Sequence, residues 1–368
     1  MQEPIRRTLR PEDARRSNRA LVLQAIYNES GLSRADIARA TGLTKVTVSD
    51  LVAELIAADL VAEAGTSDST RPGKPSTLLG FNAAARDILA MDLSARDQLR
   101  GAVLSLRGEP LLTRTRPLDG AFGDDALAAA RELAAELRDA ATHPVLGLGV
   151  GTPGTVNTAG TVLAAPNLRW HNLPLQEILH DDLDLPVRVE NDANVAVLAE
   201  RRFAGGPDDL VRIQLSRGVG AGLLVGGRLV HGATSDAGEI GHVVVDEAGG
   251  PCPCGKVGCL ETWASVPALT ARIQADPTHS DTLLADAGHR LGLALAPVVG
   301  MLGLQHIVIG GPATIATAPL LDAARDCISE RTRSEFRPDL ELTASPLGAD
   351  AVLLGAAALV LLGELGIG

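Results

Sequence analysis

The residues with the clearest chemistry lie between positions 239 and 261. Glu239-Ile240-Gly241-His242 is followed, after nine residues, by Cys252-Pro253-Cys254-Gly255-Lys256-Val257-Gly258-Cys259-Leu260-Glu261. Three thiols and one imidazole make a Cys3His set, and tetrahedral Zn2+ takes four such sulfur and nitrogen donors. A Cys-x-Cys pair, a glycine-bearing turn and a third cysteine wrap an ion with little chain. His242, Cys252, Cys254 and Cys259 would fill the coordination sphere, leaving no position for an activated water, so this zinc would be structural. The competing reading is three buried free thiols beside an unrelated histidine. Cys327, alone in a helical pattern, reads as a small core residue.

Carboxylates stand beside this knuckle. Glu239 and Glu261 flank it, and Glu190-Asn191-Asp192-Ala193-Asn194 closes an apolar run upstream. Carboxylates and carboxamides gathered at one site suit a polyhydroxylated ligand such as a sugar, because each hydroxyl taken out of water needs a partner. Asp192 equally reads as a cap for the helix that follows. The residues alone leave both roles open.

These groups need a scaffold. After residue 80 the apolar runs DILAMDL, GAVLSL, VLGLGVG, LPVRVE and LVRIQLS alternate with helical patterns over 124–140 and 194–202. Such alternation predicts an α/β fold, with sheets covered by helices. VGAGLLVGGRLVHG reads as a hairpin, HIVIGG as a strand entering a glycine turn, and 318–332 as a helix. The expected layout is a first α/β lobe over 81–190 with the tail 350–368 closing on it. A second lobe over 191–349 carries the knuckle.

Residues 1–80 read as a separate unit. Ser33-Arg34-Ala35-Asp36 is a capping-box-like start for a helix to about residue 40, with Asp36 in place of the usual Glu or Gln. In Thr41-Gly42-Leu43-Thr44 a glycine sits where a sharp bend wants positive φ, and Thr44 caps a second helix to about residue 59. Ile37, Leu43, Val48 and Leu51 fall where a helix-turn-helix buries apolar groups, with Ala38 small at the crossing. Thr44, Lys45, Val46, Thr47 and Ser49 then lie at the end of the helix that enters a major groove, where Val46 suits a thymine methyl. Segments 60–63 and 76–79 pair as strands around GTSDSTRPGKP, a wing whose Arg71 and Lys74 reach phosphate or minor groove. The alternative is a three-helix protein-interaction domain.

Composition narrows the classes further. The formal net charge is −12, yet residues 1–75 are close to neutral, with eleven basic against ten acidic side chains. Arg6, Arg7, Arg10, Arg15, Arg16 and Arg19 cluster at the start, which fits either approach to a polyanion or a solvated tail. With 46% hydrophobic and 21% charged residues, the chain has no disordered profile. Four Phe, two Trp and one Tyr are too few for base-stacking platforms. The longest apolar runs, 291–304 and 351–363, are 14 and 13 residues, short of the roughly 18–20 needed to span a bilayer. No membrane partner is expected. The amino end holds no apolar signal-peptide core, so a cytoplasmic, reducing location is the expectation.

Several ordered motifs resemble one family. Leu215-Ser216-Arg217-Gly218-Val219-Gly220-Ala221-Gly222-Leu223, continued through Gly232 and Ala237-Gly238-Glu239-Ile240-Gly241-His242 into the cysteine knuckle, resembles the ROK family of repressors, open reading frames and kinases. The resemblance covers the chain after about residue 80, and the winged module in front resembles its transcription-factor branch. It implies a two-lobed, actin-like ATPase (ribonuclease H-like) sugar-kinase fold with a sugar in the cleft. It further implies that Asn191 and Asp192 are sugar-binding residues, Asp192 matching the base of the kinases. Glu239, His242 and Glu261 match other sugar contacts, and His242 with Cys252, Cys254 and Cys259 the zinc ligands. Gly154, in Gly151-Thr152-Pro153-Gly154, matches a cleft-lining turn, and Asn167 belongs to a loop that closes over the ligand.

The phosphate loops depart from the kinase pattern. Kinase members read Asp-x-Gly-Gly-Thr, because glycine lets backbone N–H groups approach phosphate. This chain reads Asp92-Leu93-Ser94-Ala95-Arg96, and Ser216-Arg217-Gly218 replaces a second Gly-Thr-Gly loop. ATP is expected to bind poorly, and phosphoryl transfer without a nucleotide cradle gives no useful turnover. Gly218 to Gly222 alone fits either a nucleotide loop or a tight hairpin. The expected function is a sugar-responsive transcriptional regulator, most simply a repressor, whose partners are a duplex DNA operator and a sugar or sugar phosphate. A homodimer or homotetramer is expected. The alternatives are a bifunctional sugar kinase and a regulator controlled by a protein partner.

Overall fold

The structure, a computed structural model, describes residues 11–66, 76–332 and 340–368. The head comprises α1 (Pro11–Asn28), β1 (Leu32–Ser33), α2 (Arg34–Thr41), α3 (Lys45–Ala57), β2 (Val61–Thr66) and β3 (Thr77–Phe81), its strands ordered β1-β3-β2. Its local chemistry follows the sequence. Ser33 accepts from the Asp36 amide while the Asp36 carboxylate accepts from the Ser33 amide, a complete capping box. Gly42 ends α2 at φ 70°, and Thr44 caps α3 through the Thr47 amide. Ile37, Val48 and Leu51 are buried, with Leu43 and Ala38 packed against them. β2 and β3 pair antiparallel with Glu63 opposite Leu79. The second helix stops at Ala57, short of residue 59, because Asp59 takes φ 62°. The wing loop and its Arg71 and Lys74, like Arg6, Arg7 and Arg10, lie outside the described residues.

In the first lobe β4 (Asp87–Asp92), β5 (Gln98–Ser105) and β6 (Pro110–Pro117) form an antiparallel meander, and α4 (Asp124–Ala140) leads into β7 (Val145–Thr152). A small sheet of β8 (Thr155–Val156), β9 (Val162–Ala165) and β10 (Trp170–Leu173), then α5 (Leu175–Leu183), precedes β11 (Val187–Asn191). The main sheet runs β11-β7-β4-β5-β6, with β7 parallel to both β4 and β11.

The second lobe starts with α6 (Asp192–Phe203), whose all-round burial marks it as a core helix. Its sheet takes β12 (Leu210–Leu215), β13 (Val219–Val225) and β14 (Arg228–Leu229), followed by a single helical turn at Ile240–His242. Then come α7 (Glu261–Ala264), α8 (Val266–Ala275), α9 (Ser280–Leu302), β15 (His306–Gly310), α10 (Ala318–Arg331) and β16 (Glu341–Ala344), giving the order β14-β13-β12-β15-β16. The chain closes with α11 (Ala351–Val360), which packs on β4, β7 and β11 and against α6.

Two further differences from the sequence reading have physical causes. Helix α6 begins at Asp192 rather than 194, because Asn191 supplies the cap to the amides of Ala193 and Asn194. The helical stretch Gly348–Leu365 reaches 18 residues, longer than the 13-residue apolar run, since turns at both ends extend α11. By length and composition it would cross a bilayer, but 56% of it is buried inside the fold, which is the behaviour of a core helix. Gly147, Gly149 and Gly151 alternate along β7 on the face that receives it.

Candidate functional site

Three thiols and one imidazole converge. The donor atoms of His242, Cys252, Cys254 and Cys259 all lie within 4.8 Å of one another. His242 sits at the end of the turn after Glu239, and the cysteine loop folds back through bridges joining Val244 to Cys259 and Pro251 to Val257. Nδ1 of His242 lies 3.6 Å from Cys252 Sγ, and Sγ of Cys254 lies 3.6 Å from Sγ of Cys259. Burial pushes the Cys259 thiol up to about 12, so a thiolate there needs a cation to hold its charge. The four residues form a cluster of metal-binding type, with a donor set that suits zinc.

The other edge of the same imidazole faces a carboxylate. His242 Nε2 lies 3.9 Å from Glu239 Oε2. Burial raises the Glu239 carboxyl, His242 opposes that shift, and Glu261 and Asp236 add to it, so these acidic groups share one neighbourhood. Glu261, at the start of α7, accepts from the Val219 amide at 3.2 Å. A Cβ on Gly218 would sit 2.5 Å from Glu261 Oε2. The glycine here therefore admits a carboxylate, and the β12–β13 turn is a tight hairpin closed by Ser216 N to Gly218 O at 2.9 Å.

Across β13 lies the first turn of α6. Asn191 Oδ1 accepts from Ala193 N (2.9 Å) and Asn194 N (3.1 Å), while Nδ2 donates to Gly154 O (2.8 Å) and Asp192 Oδ1 (3.0 Å). Its side chain is thus fully engaged: it caps the helix and orients Asp192. Gly154, at φ 87°, presents its carbonyl to Asn191, and an added Cβ would overlap the Ala164 carbonyl. Asp192 is half-buried, and its carboxyl rises to about 7, first from burial and then from the neighbouring Asp92. Asn167 is exposed on the turn between β9 and β10, and among the described residues no hydrogen bond ties it to Asn191 or Asp192.

One pair had no sequence signal. His231 Nε2 meets Glu190 Oε2 at 2.7 Å, and Glu190 Oε1 accepts from Asn191 N (2.8 Å) and Asn194 Nδ2 (3.0 Å). The pair ties the loop leading to Glu239 onto the end of β11. A lone histidine in a glycine-containing loop carries no motif, and only the fold places it against Glu190.

The former phosphate region looks inward. Ser94 donates through both its amide (2.9 Å) and its hydroxyl (2.6 Å) to Asp92 Oδ1, so neither is turned toward a phosphate. Burial raises the Asp92 carboxyl. Arg100 donates to Ala349 O (2.6 Å) and Asp350 Oδ1 (2.5 Å), joining β5 to the start of the final helical stretch. A cleft of about 600 Å³ remains between Ser216, Arg217, Pro267, Gly311 and Ala349.

On the head, Thr44, Lys45, Val46 and Ser49 are exposed at the start of α3, and Val46 keeps 71% of its surface in solvent. The Thr44 and Thr47 hydroxyls lie 2.9 Å apart, so the cap occupies both. A recess of about 290 Å³ between Arg34, Lys45, Ser49, Ser76 and Thr77 adds Arg34, which sequence reasoning passed over as a first-turn helix residue.

Residues 96–362 match the ROK family and residues 15–71 the MarR family. The xylose repressor of Caldicellulosiruptor bescii is 30% identical over 383 residues, covering 94% of this chain and 95% of its own. The xylose repressor of Bacillus subtilis is 27% identical, with 94% of each chain covered. The glucokinase of Thermotoga maritima is 31% identical but covers 64% of this chain and 85% of its own. Among solved structures, a ROK family transcriptional regulator described as a homolog of E. coli MLC superimposes with TM-score 0.82 at 29% identity, covering 96% of this chain and 98% of that one. A Streptomyces griseus ROK glucokinase in complex with glucose and AMPPNP gives TM-score 0.64 at 27% identity over 74% of this chain and 98% of its own. The repressors match head and body together, whereas the kinases match the body alone. The chain belongs to the ROK family, as a transcriptional regulator with a MarR-type winged helix-turn-helix in front of a two-lobed sugar-kinase fold.

Proposed function

We propose that this chain represses transcription from a duplex operator and releases it when a sugar, in the first instance an aldose such as xylose, enters the cleft between its lobes. The observation that carries the reading is a pocket kept without its chemistry. Glu239, Glu261 and His242 share one neighbourhood and, with Asp192, would partner hydroxyls, while the Asp92 loop spends the amide and hydroxyl of Ser94 on itself. Asn191 and Gly154 position Asp192, and Asn167 would border the opening. Thr44, Lys45, Val46, Thr47 and Ser49 read the major groove, with Arg34, Arg71 and Lys74 on phosphate or in the minor groove. Zinc held by His242, Cys252, Cys254 and Cys259 fixes the imidazole that faces Glu239. The names of the full-length relatives support xylose as the first ligand to test.

The regulator works in the cytoplasm as a homodimer or homotetramer. Paired heads would meet half-sites about 34–36 Å apart or at multiples of that spacing. The lobe boundaries are those of 81–190 with 350–368, and 191–349.

The test is a gel shift on a duplex selected from a random library by the purified chain, titrated with an aldose panel. Release by one sugar at millimolar concentration, with no coupled ADP formation from ATP, is the expected result. A duplex that no sugar displaces, or steady ADP production, would overturn the reading.

A further inference from the structure

Helix α6 carries the proposed sugar-binding carboxylate at one end and touches the head at the other. Its first turn holds Asn191 as cap and Asp192, whose carboxylate accepts from the Asn191 side chain. Its last turn holds Arg202, whose guanidinium lies 4.1 Å from the centre of the Tyr27 ring on α1. Arg202 also donates to Asn28 Oδ1 and to the Gly368 carbonyl, each at 3.2 Å. Its Nε is buried and, among the described residues, has no hydrogen-bond partner. That leaves the residue held by contacts to the head and the C-terminus, with one donor still unsatisfied.

The helix between these ends behaves as a rod. Twelve residues at about 1.5 Å each span roughly 18 Å. Residues Ala193 to Glu200 are buried without a break. Gly355 of α11 and Gly222 of β13 lie so close that an added Cβ on either would overlap the α6 backbone. A close-packed element of this kind moves as a body rather than bending, so displacement at its first turn reaches its last.

Tyr27 is a suitable receiver. It is 2% exposed, donates its hydroxyl to Leu106 O at 3.0 Å, and stacks edge-on against Phe81 at 4.7 Å. Arg107, from the β5–β6 turn, covers it at 4.4 Å. Tyr27 and Asn28 end the helix that packs behind α2 and α3. A guanidinium over a ring face gains electrostatically from the ring quadrupole, and the gain depends on its position.

We propose that Arg202 is the positioning residue through which α6 transmits occupancy of the cleft to the DNA-reading head. The proposal rests on the sugar-responsive reading and assigns its coupling to one seam. Allosteric couplings of this kind usually change affinity by about 5- to 150-fold.

The test uses the full chain labelled with 3-fluorotyrosine, which yields one 19F resonance because Tyr27 is the single tyrosine. D-xylose and D-glucose are the sugars, and a library-selected duplex is the operator. The expected result is that R202A binds sugar with unchanged affinity by calorimetry, keeps a Tyr27 resonance that sugar no longer moves, and loses the sugar-induced drop in operator affinity to within about twofold of none. R202K, which keeps the cation, restores part of the coupling, and R107A, which also contacts the ring but from off α6, retains it. R202A that still releases DNA by the parental factor overturns the relay while the sugar reading stands. Failure of both sugars to bind the parent chain is instead a failure of that reading. The relay is then decided by D192A, which must shift the Tyr27 resonance in the parent and not in R202A. An unmoved resonance in the parent overturns it.

Discussion

His242 faces two ways, and the site turns on that residue. Nδ1 lies 3.6 Å from a thiol and Nε2 3.9 Å from a carboxylate. When a ring nitrogen is committed to a metal, the tautomer and the direction of the other are fixed, and loss of such a support typically costs about 10- to 100-fold. C259S is therefore expected to lose bound zinc by elemental analysis and to weaken sugar binding about tenfold or more. Operator binding without sugar should persist, because the core of the head does not include the knuckle. Undiminished sugar affinity in a metal-free C259S chain would refute the shared-imidazole account. Asp192 makes a second prediction. Its carboxyl titrates near 3.8 when unfolded and at about 7 when folded, raised first by burial and then by Asp92. Between those values the folded chain keeps a proton that the unfolded chain has released, so the group costs stability increasingly as pH rises, and fully so above about 7. D192N removes that cost. Its melting temperature relative to the parent should climb between about pH 4 and pH 7, level off above that, and match below about pH 4; a pH-independent offset would contradict the raised carboxyl.

At the level of elements, the sequence announced most of what depends on near neighbours. The capping box at Ser33 and Asp36, the bend at Gly42 and the helix over 124–140 all come from interactions within a few residues, and each stands where the pattern placed it. What it did not announce depends on partners far along the chain. VLGLGVG reads as a strand, but the reason for its alternating glycines arrives about two hundred residues later. α11 lies so flat on β7 that a Cβ at Gly149 would overlap the Ala356 carbonyl, and one at Gly151 would strike Val352. His231 on Glu190 and Arg202 on Tyr27 were invisible for the same reason. The cysteine knuckle was legible because metal ligation needs a fixed set of residue types within a short span. G149A follows as a test of the element contact. Overlap with a backbone atom cannot be relieved by a rotamer change, so the variant should lose about 1–3 kcal/mol of stability in denaturant titration. G120A, on a turn with nothing among the described residues within 4 Å of its Cβ position, has its φ of 82° to oppose it and should lose no more than about 1 kcal/mol. Equal losses at the two sites would argue against the close approach of α11.

At the scale of the whole molecule, the head is not a bead on a string. One continuous core runs from Val22, Leu23 and Ile26 of α1 through Ile37 and Leu51 to Ile88 and Ala90 of the first lobe and Leu353, Ala357 and Leu361 of the final helical stretch. Gly368 N donates to Gln24 Oε1 at 2.9 Å, so the last residue of the chain is stitched to the first helix. A head that floated free would report nothing of the cleft, whereas one sharing its core with the lobe's sheet takes up any shift of that sheet. Sharing also sets how the chain comes apart. Separate cores open at separate free energies, whereas a common core makes its members open together. Hydrogen exchange of the full chain should therefore give the amides of α1 and of α11 the same opening free energy, and deleting residues 364–368 should lower both together. A head that exchanges or melts ahead of the first lobe would show that the seam around Tyr27 contributes little stability. It would then lack the stiffness that passing a sugar signal to DNA requires.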